Sequence, residues 1–151
     1  MAERKVFIAV DGSKPADGAF NWYLDNVNRP GDMVYLVHSA EYNINMGMPG
    51  MAADVNAISK TMKEEDDRIG NLTGNYIENL KKRSIQAKMV TLKGQKPGEA
   101  IVKAASEEQA SMIIMGSRGL GKVRRTLMGS VSEYVTHHAP PNCAIIILRT
   151  S

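Results

Sequence analysis

Residues 111–132 read SMIIMGSRGLGKVRRTLMGSVS. Four apolar residues, Met112 to Met115, run straight into Gly116, with Gly119 and Gly121 close behind. A basic segment follows, and Gly129 and Ser130 then open a short helix carrying Val131, Tyr134, Val135 and His138. A buried strand that feeds a glycine-rich loop ending at a helix start is what phosphate binding requires. Glycine lets the backbone approach an anion with no Cβ in the way. The helix N-terminus adds unpaired N–H groups and a partial positive charge. The stretch therefore predicts a nucleotide phosphate site, set against the plainer possibility of a glycine-rich surface connection.

Two well-known loop patterns fail here at a position with a chemical job. Gly116 to Val123 fits G-x-x-x-x-G-K-[ST] except at Val123, where a hydroxyl should hold Mg²⁺. A G-x-G-x-x-G fingerprint counted from Gly119 ends on Arg124. A third pattern fits throughout. Gly116, Gly119, Gly129 and Ser130 match G-x2-G-x9-G-[ST], which resembles the nucleotide-binding motif of the universal stress protein family.

The rest of the chain agrees with a strand–helix alternation. Lys5 to Val10 reads as a buried strand, followed by Asp11-Gly12-Ser13 and Pro15, a helix-start signature. Ala16, Phe20, Tyr23 and Val27 keep helical spacing, and Pro30-Gly31 turns the chain into a strand over Met33 to His38. Ser39 to Ala53 has no periodicity and contains Met46, Met48 and Met51. It reads as a lid or contact surface, with Cu(I) ligation by thioethers as the other chemistry open to it. Val55, Ile58, Met62, Ile69, Leu72, Tyr76 and Leu80 define a long amphipathic helix that Gly70 and Gly74 weaken. Ile85 to Leu92 is a third strand, Pro97 to Glu108 a helix, Met112 to Met115 a fourth strand and Ala144 to Leu148 the last.

Such an order predicts right-handed crossovers and a mostly parallel five-stranded sheet covered on both faces, an α/β three-layer sandwich formed by one domain over residues 1–151. The resemblance covers essentially the whole chain. It includes V-D-G-S at the end of the first strand, L-V-H-S at the end of the second, and the final apolar strand. It implies strand order 3-2-1-4-5, a Rossmann-like, adenine nucleotide alpha hydrolase-like fold. The first and fourth strands are then neighbours at the switch point where open sheets bind ligands.

The resemblance also implies a site. Ala9 and Val10 lie near the adenine, Asp11 contacts base or ribose, and Ser39 sits where the family reads the adenine edge. Met115, Gly116, Arg118 and Gly119 line the ribose and phosphates, and Gly129, Ser130, Val131 and Ser132 hold phosphate oxygens. Taken from its residues alone, Asp11 serves equally as a helix cap. The implied ligand is ATP, with AMP or ADP as bound forms and Mg²⁺ accompanying the nucleotide. The implied role is a stress-responsive regulatory switch, homodimeric through Ala144 to Leu148. Slow ATP hydrolysis or phosphotransfer in the same pocket, and a nucleotide-independent interaction module, are the alternatives. No catalytic triad and no metal-ligand spacing stands out, so no catalytic or metal residue is assigned.

Composition narrows the field further. Net charge is only +3, so there is no strong polyanion signal, although Arg118, Lys122, Arg124 and Arg125 stand together without an acid. Aromatic residues are few and do not interleave with the basic ones, which argues against single-stranded nucleic acid. Cys143 is the single cysteine, so neither an internal disulfide nor a C-x-x-C pair exists. The apolar run in MAERKVFIAV is too short for a signal peptide, and no stretch is long enough to span a bilayer. A cytoplasmic protein without membrane partners is expected.

Overall fold

The computed structural model describes residues 3–40, 55–93, 96–117 and 130–149. Strands and helices alternate along the chain: β1 (Lys5–Ala9), α1 (Lys14–Asn26), β2 (Met33–Ala40), α2 (Val55–Lys82), β3 (Gln86–Lys93), α3 (Pro97–Glu108), β4 (Met112–Gly116), α4 (Ser130–His138) and β5 (Ala144–Leu148). The five strands form one sheet in the order β3-β2-β1-β4-β5, and all four pairings are parallel.

Alternation along the strands divides the core between two faces. Val6, Ile8, Val34, Leu36 and Ile114 point to one side, against Phe20, Tyr23 and Leu24 of α1 and Tyr76 and Leu80 of α2. Phe7, Tyr35, Val37, Ile113 and Met115 point to the other, against Ile101 and Ala105 of α3 and Val135 of α4. A sheet buried on both faces needs near-continuous apolar strands, which is why VFIA and MIIM carry no alternation. Each fully buried large side chain contributes about 1.5–3 kcal/mol, so the two cores dominate the favourable side of folding.

Element ends have local causes. Ser13, not Asp11, caps α1: its Oγ accepts from the Ala16 N–H at 3.2 Å. Gly31, at φ +90°, makes the turn into β2. The left-handed Gln109, at φ 56°, closes α3. α2 runs unbroken through Gly70 and Gly74, so these glycines do not divide it.

At the N-terminal end of the sheet Arg4 grips Asp32 with two bonds, Nε to Oδ1 at 2.8 Å and Nη2 to Oδ2 at 2.7 Å. The Tyr23 hydroxyl and the Arg29 N–H also donate to Oδ2, at 2.7 and 3.1 Å, and Arg4 Nη2 reaches the Val27 carbonyl. The buried carboxylate is thereby fully satisfied, as a buried charge must be. This network anchors the entry to β1 and the α1–β2 turn, leaving the opposite end of the sheet for a site.

Candidate functional site

β1 and β4 lie side by side, in register from Val6↔Met112 to Ile8↔Ile114. Beyond that they part: β1 leads to α1 on one face of the sheet, and β4 leads towards α4 on the other. In a parallel sheet every crossover helix runs back against its strands. The N-termini of α1 and α4 therefore lie at the end where β1 and β4 finish, with their partial positive charges towards the same crevice.

The structure brings several of the expected residues to this crevice. Ala9 ends β1, Met115 and Gly116 end β4, and all three lie where the strands separate. Ala9 and Val131 pack against the core that contains Met115, on the α3/α4 face. Ser39 lies two residues past Val37, the partner of Ala9, so β2 runs on beyond the end of β1. Ser130 opens α4, and Ser132, within its first turn, is buried. Val10 differs from these. Its side chain is only 2% exposed and faces the α1/α2 core on the opposite side of the sheet. Arg118, Gly119 and Gly129, together with Lys122 and the methionine segment Met46 to Met51, lie outside the described residues.

Asp11 is exposed at the crevice mouth. Its Oδ1 accepts from the Ser13 N–H at 2.9 Å, a local turn rather than the cap that its residue type also allowed. Gly12 then turns the chain at φ +80°, a conformation that favours glycine.

The glycine at 116 answers to packing. A Cβ built there would stand 2.4 Å from the Pro15 carbonyl oxygen and 2.5 Å from its carbon. The first turn of α1 thus rests directly on the end of β4, and no larger residue fits between them.

Three further side chains meet this region, none of them singled out by sequence reasoning as part of a site. His38, at the end of β2 and 2% exposed, places Nδ1 3.0 Å from the Val10 carbonyl, while its Nε2 is buried without a partner among the described residues. Tyr76, from α2, donates its hydroxyl to Asp17 Oδ1 in the first turn of α1. Burial pushes the Tyr76 phenol well above the usual tyrosine range, helped by the hydrogen bond to Asp17 and the charges of Asp17 and Asp11, against the Gly12 N–H. His38 offered one cue, a polar residue at the end of an apolar strand. Tyr76 offered none, because its spacing on α2 is that of a core aromatic.

Among the described residues, no group of three or more His, Cys, Asp or Glu is arranged to hold a metal ion. No helix there is long and apolar enough to cross a membrane. A cavity of about 360 Å³ beside Arg29, Asp32 and Arg83 lies at the opposite end of the sheet and is separate from the crevice.

Residues 3–147 match the sequence profile described as the Universal stress protein family. The chain belongs to this family. Among curated relatives it is similar to Universal stress protein PHOS34 of Arabidopsis thaliana, 29% identical over 98% of this chain and 62% of that protein. It is also similar to SH1215 of Staphylococcus haemolyticus, a protein named for the same family, at 30% identity over 99% of this chain and 87% of the relative. The chain spans less than two thirds of the length of two Arabidopsis relatives that it matches.

Solved structures in the universal stress protein family share the fold. UspA from Lactobacillus plantarum superposes with a TM-score of 0.78 at 20% identity, covering 99% of this chain and 100% of that one. A family protein from Arabidopsis thaliana, solved with AMP bound, gives 0.69 at 17% identity over 98% and 92% of the two chains. A universal stress protein in complex with cAMP gives 0.59 at 20% identity, with full coverage of both.

Proposed function

We propose that this protein binds an adenine nucleotide in the crevice between the ends of β1 and β4 and acts as a nucleotide-dependent regulatory switch. The observation that carries this reading is the juxtaposition of Asp11 and Gly116 at the ends of adjacent parallel strands, beside the N-termini of α1 and α4. Gly116 is also the first residue of the complete G-x2-G-x9-G-[ST] spacing. Relatives of the same fold hold AMP and cAMP. The residues present suit such a ligand. Asp11 offers an exposed carboxylate to base or ribose hydrogen-bond donors, and Ser39 lies on the stretch of β2 that outruns β1. The start of α4 at Ser130 suits an anion.

ATP is the ligand that the full glycine spacing favours, accompanied by Mg²⁺ held mainly by phosphate oxygens and water. The phosphates would be met by backbone N–H groups, by Gly129 and by the Ser130 hydroxyl, with Lys122 adding only a screened charge. A hydrogen bond to a charged group is worth about 1.5–3 kcal/mol, roughly ten- to a hundredfold in affinity, against about 1 kcal/mol or less for an exposed lysine.

The test is calorimetric titration of ATP and AMP into the wild-type protein and the variants Ser130→Ala, Gly129→Val and Lys122→Ala at fixed salt, with circular dichroism to check folding. Ser130→Ala should weaken binding clearly, Gly129→Val should nearly abolish it, and Lys122→Ala should change it only a few-fold. A wild-type protein that binds neither nucleotide would overturn the proposed function. Greatest damage from Lys122→Ala would overturn this assignment of the loop.

A further inference from the structure

The turn that carries Asp11 is held from outside the glycine motif. Residues 11 to 13 join β1 to α1, and Asp11 and Gly12 are exposed. The side-chain bonds that shape the turn locally run from the Ser13 N–H to Asp11 and from the Ala16 N–H to Ser13. Both lie within the same short stretch, and neither ties it to the body of the protein. One tether comes from β2, where the Val37 carbonyl accepts from the Val10 N–H at 2.9 Å and the His38 ring engages the Val10 carbonyl. The other comes from α2.

Tyr76 is 5% exposed, and its ring stands edge-on to Phe20 with centroids 4.8 Å apart. A phenylalanine would fill that space equally well. The hydroxyl has a separate purpose: it leaves the core at the first turn of α1 and donates to Asp17. Pro15, two residues before Asp17, bears on Gly116 at the end of β4. The first turn of α1 is thus clamped between β4 on one side and α2 on the other, with Asp11 at its tip.

We propose that Tyr76 is a positioning residue for the ligand crevice. Through Asp17 its hydroxyl holds the first turn of α1 in place, and with it the turn that presents the Asp11 carboxylate. This inference rests on the nucleotide-binding reading above and adds to it a residue some 40 positions from any part of the glycine motif. The group acts through Asp11 and touches no ligand. Its removal therefore leaves the core filled and the phosphate contacts unchanged, but lets the carboxylate wander.

The experiment is a double-mutant cycle on nucleotide affinity, with wild type, Tyr76→Phe, Asp11→Ala and the pair titrated with AMP and with ATP. Tyr76→Phe should weaken both nucleotides by about five- to tenfold in the wild-type background and by less than about twofold once Asp11 is gone, as expected when one residue works through another. An equal loss in both backgrounds would mean that Tyr76 serves only the fold, and would overturn the proposal. So would an unchanged affinity in Tyr76→Phe while the wild type binds normally. A wild type without affinity for either nucleotide would overturn the functional reading itself, and the proposal with it. Amide hydrogen exchange on ligand-free protein supplies a readout that does not need the Asp11 variant. In Tyr76→Phe the Gly12 and Ser13 amides should exchange faster while those of Val6 to Ile8 keep their protection. Uniform acceleration along β1 would count against a positioning role.

Discussion

Gly116 and Pro15 are in direct backbone contact: a Cβ at position 116 would sit 2.4 Å from the Pro15 carbonyl oxygen. The obstacle is main chain in the first turn of a helix, which has no rotamer to change. A glycine of the proposed ligand motif thus also has a structural task, joining α1 to β4.

Gly116→Ala should therefore destabilise the protein with no ligand present. Forcing one extra carbon into a filled space costs roughly 1–3 kcal/mol, and each kcal/mol lowers Tm by about 2–4 °C in a chain of this size. Thermal unfolding of the nucleotide-free variant is the measurement. An unchanged Tm would show that α1 can move away from β4.

Gly70 and Gly74 should behave in the opposite way. Both lie inside α2, and a Cβ at either meets nothing within 4 Å among the described residues. Alanine removes the conformational freedom of glycine in the unfolded chain and should stabilise by about 0.4–1 kcal/mol at each site. Urea unfolding midpoints of Gly70→Ala, Gly74→Ala and the pair decide this. A fall in either midpoint would point to an undetected need for glycine there.

Asp32 should govern part of the acid stability. Burial alone would raise its pKa, but the hydrogen bonds from Arg4, Tyr23 and the Arg29 N–H more than offset this and hold it below the ordinary value of 3.8. A carboxyl whose folded pKa is depressed contributes stability above its unfolded pKa and loses it as pH falls through the folded one. Asp32→Asn should cost roughly 3 kcal/mol at pH 7, the lower end for breaking a buried pair, because the Arg4 side chain keeps 22% exposure. The difference from wild type should narrow as pH drops below 3.8, which urea unfolding at several pH values would reveal. A gap that stays constant down to strongly acid pH would rule out this account.

β5 should carry the proposed homodimer. It lies at an edge of the sheet, and Ile145 to Leu148 are only half-buried, with side chains alternating towards the two faces. An apolar edge strand of this kind needs a partner or a cover, whereas the opposite edge, β3, carries Lys88 and Lys93. Ile146→Lys should convert a dimer to a monomer, or to insoluble protein, in light scattering. A monomeric wild type, or a dimer indifferent to the charge, would discard this interface.

Much of the fold was legible because its signals are local. Apolar runs such as Val6 to Ile8 and Met112 to Met115 mark doubly covered strands, and the spacing of Phe20 and Tyr23, or of Tyr76 and Leu80, marks helix faces. The glycine spacing from Gly116 to Ser130 is likewise a property of one continuous stretch, and it was enough to point to the family. Residue type alone left Asp11 open between ligand contact and cap. Hydrogen-bond geometry gave the cap to Ser13 and left the Asp11 carboxylate exposed at the crevice.

Periodicity, turn chemistry and motif spacing act over a few residues, and through them the amino-acid order settled the succession of elements, the covered sheet and the family. Pairings between distant positions follow from strand order, register and the angle at which helices lie on the sheet, and no local pattern encodes them. Arg4 meets Asp32 from 28 positions away, and Tyr76 reaches Asp17 from 59. Pro15 closes on Gly116 only because β1 and β4 are neighbours. A tyrosine hydroxyl, a histidine nitrogen and a missing Cβ acquire their purpose from what the folded chain sets beside them.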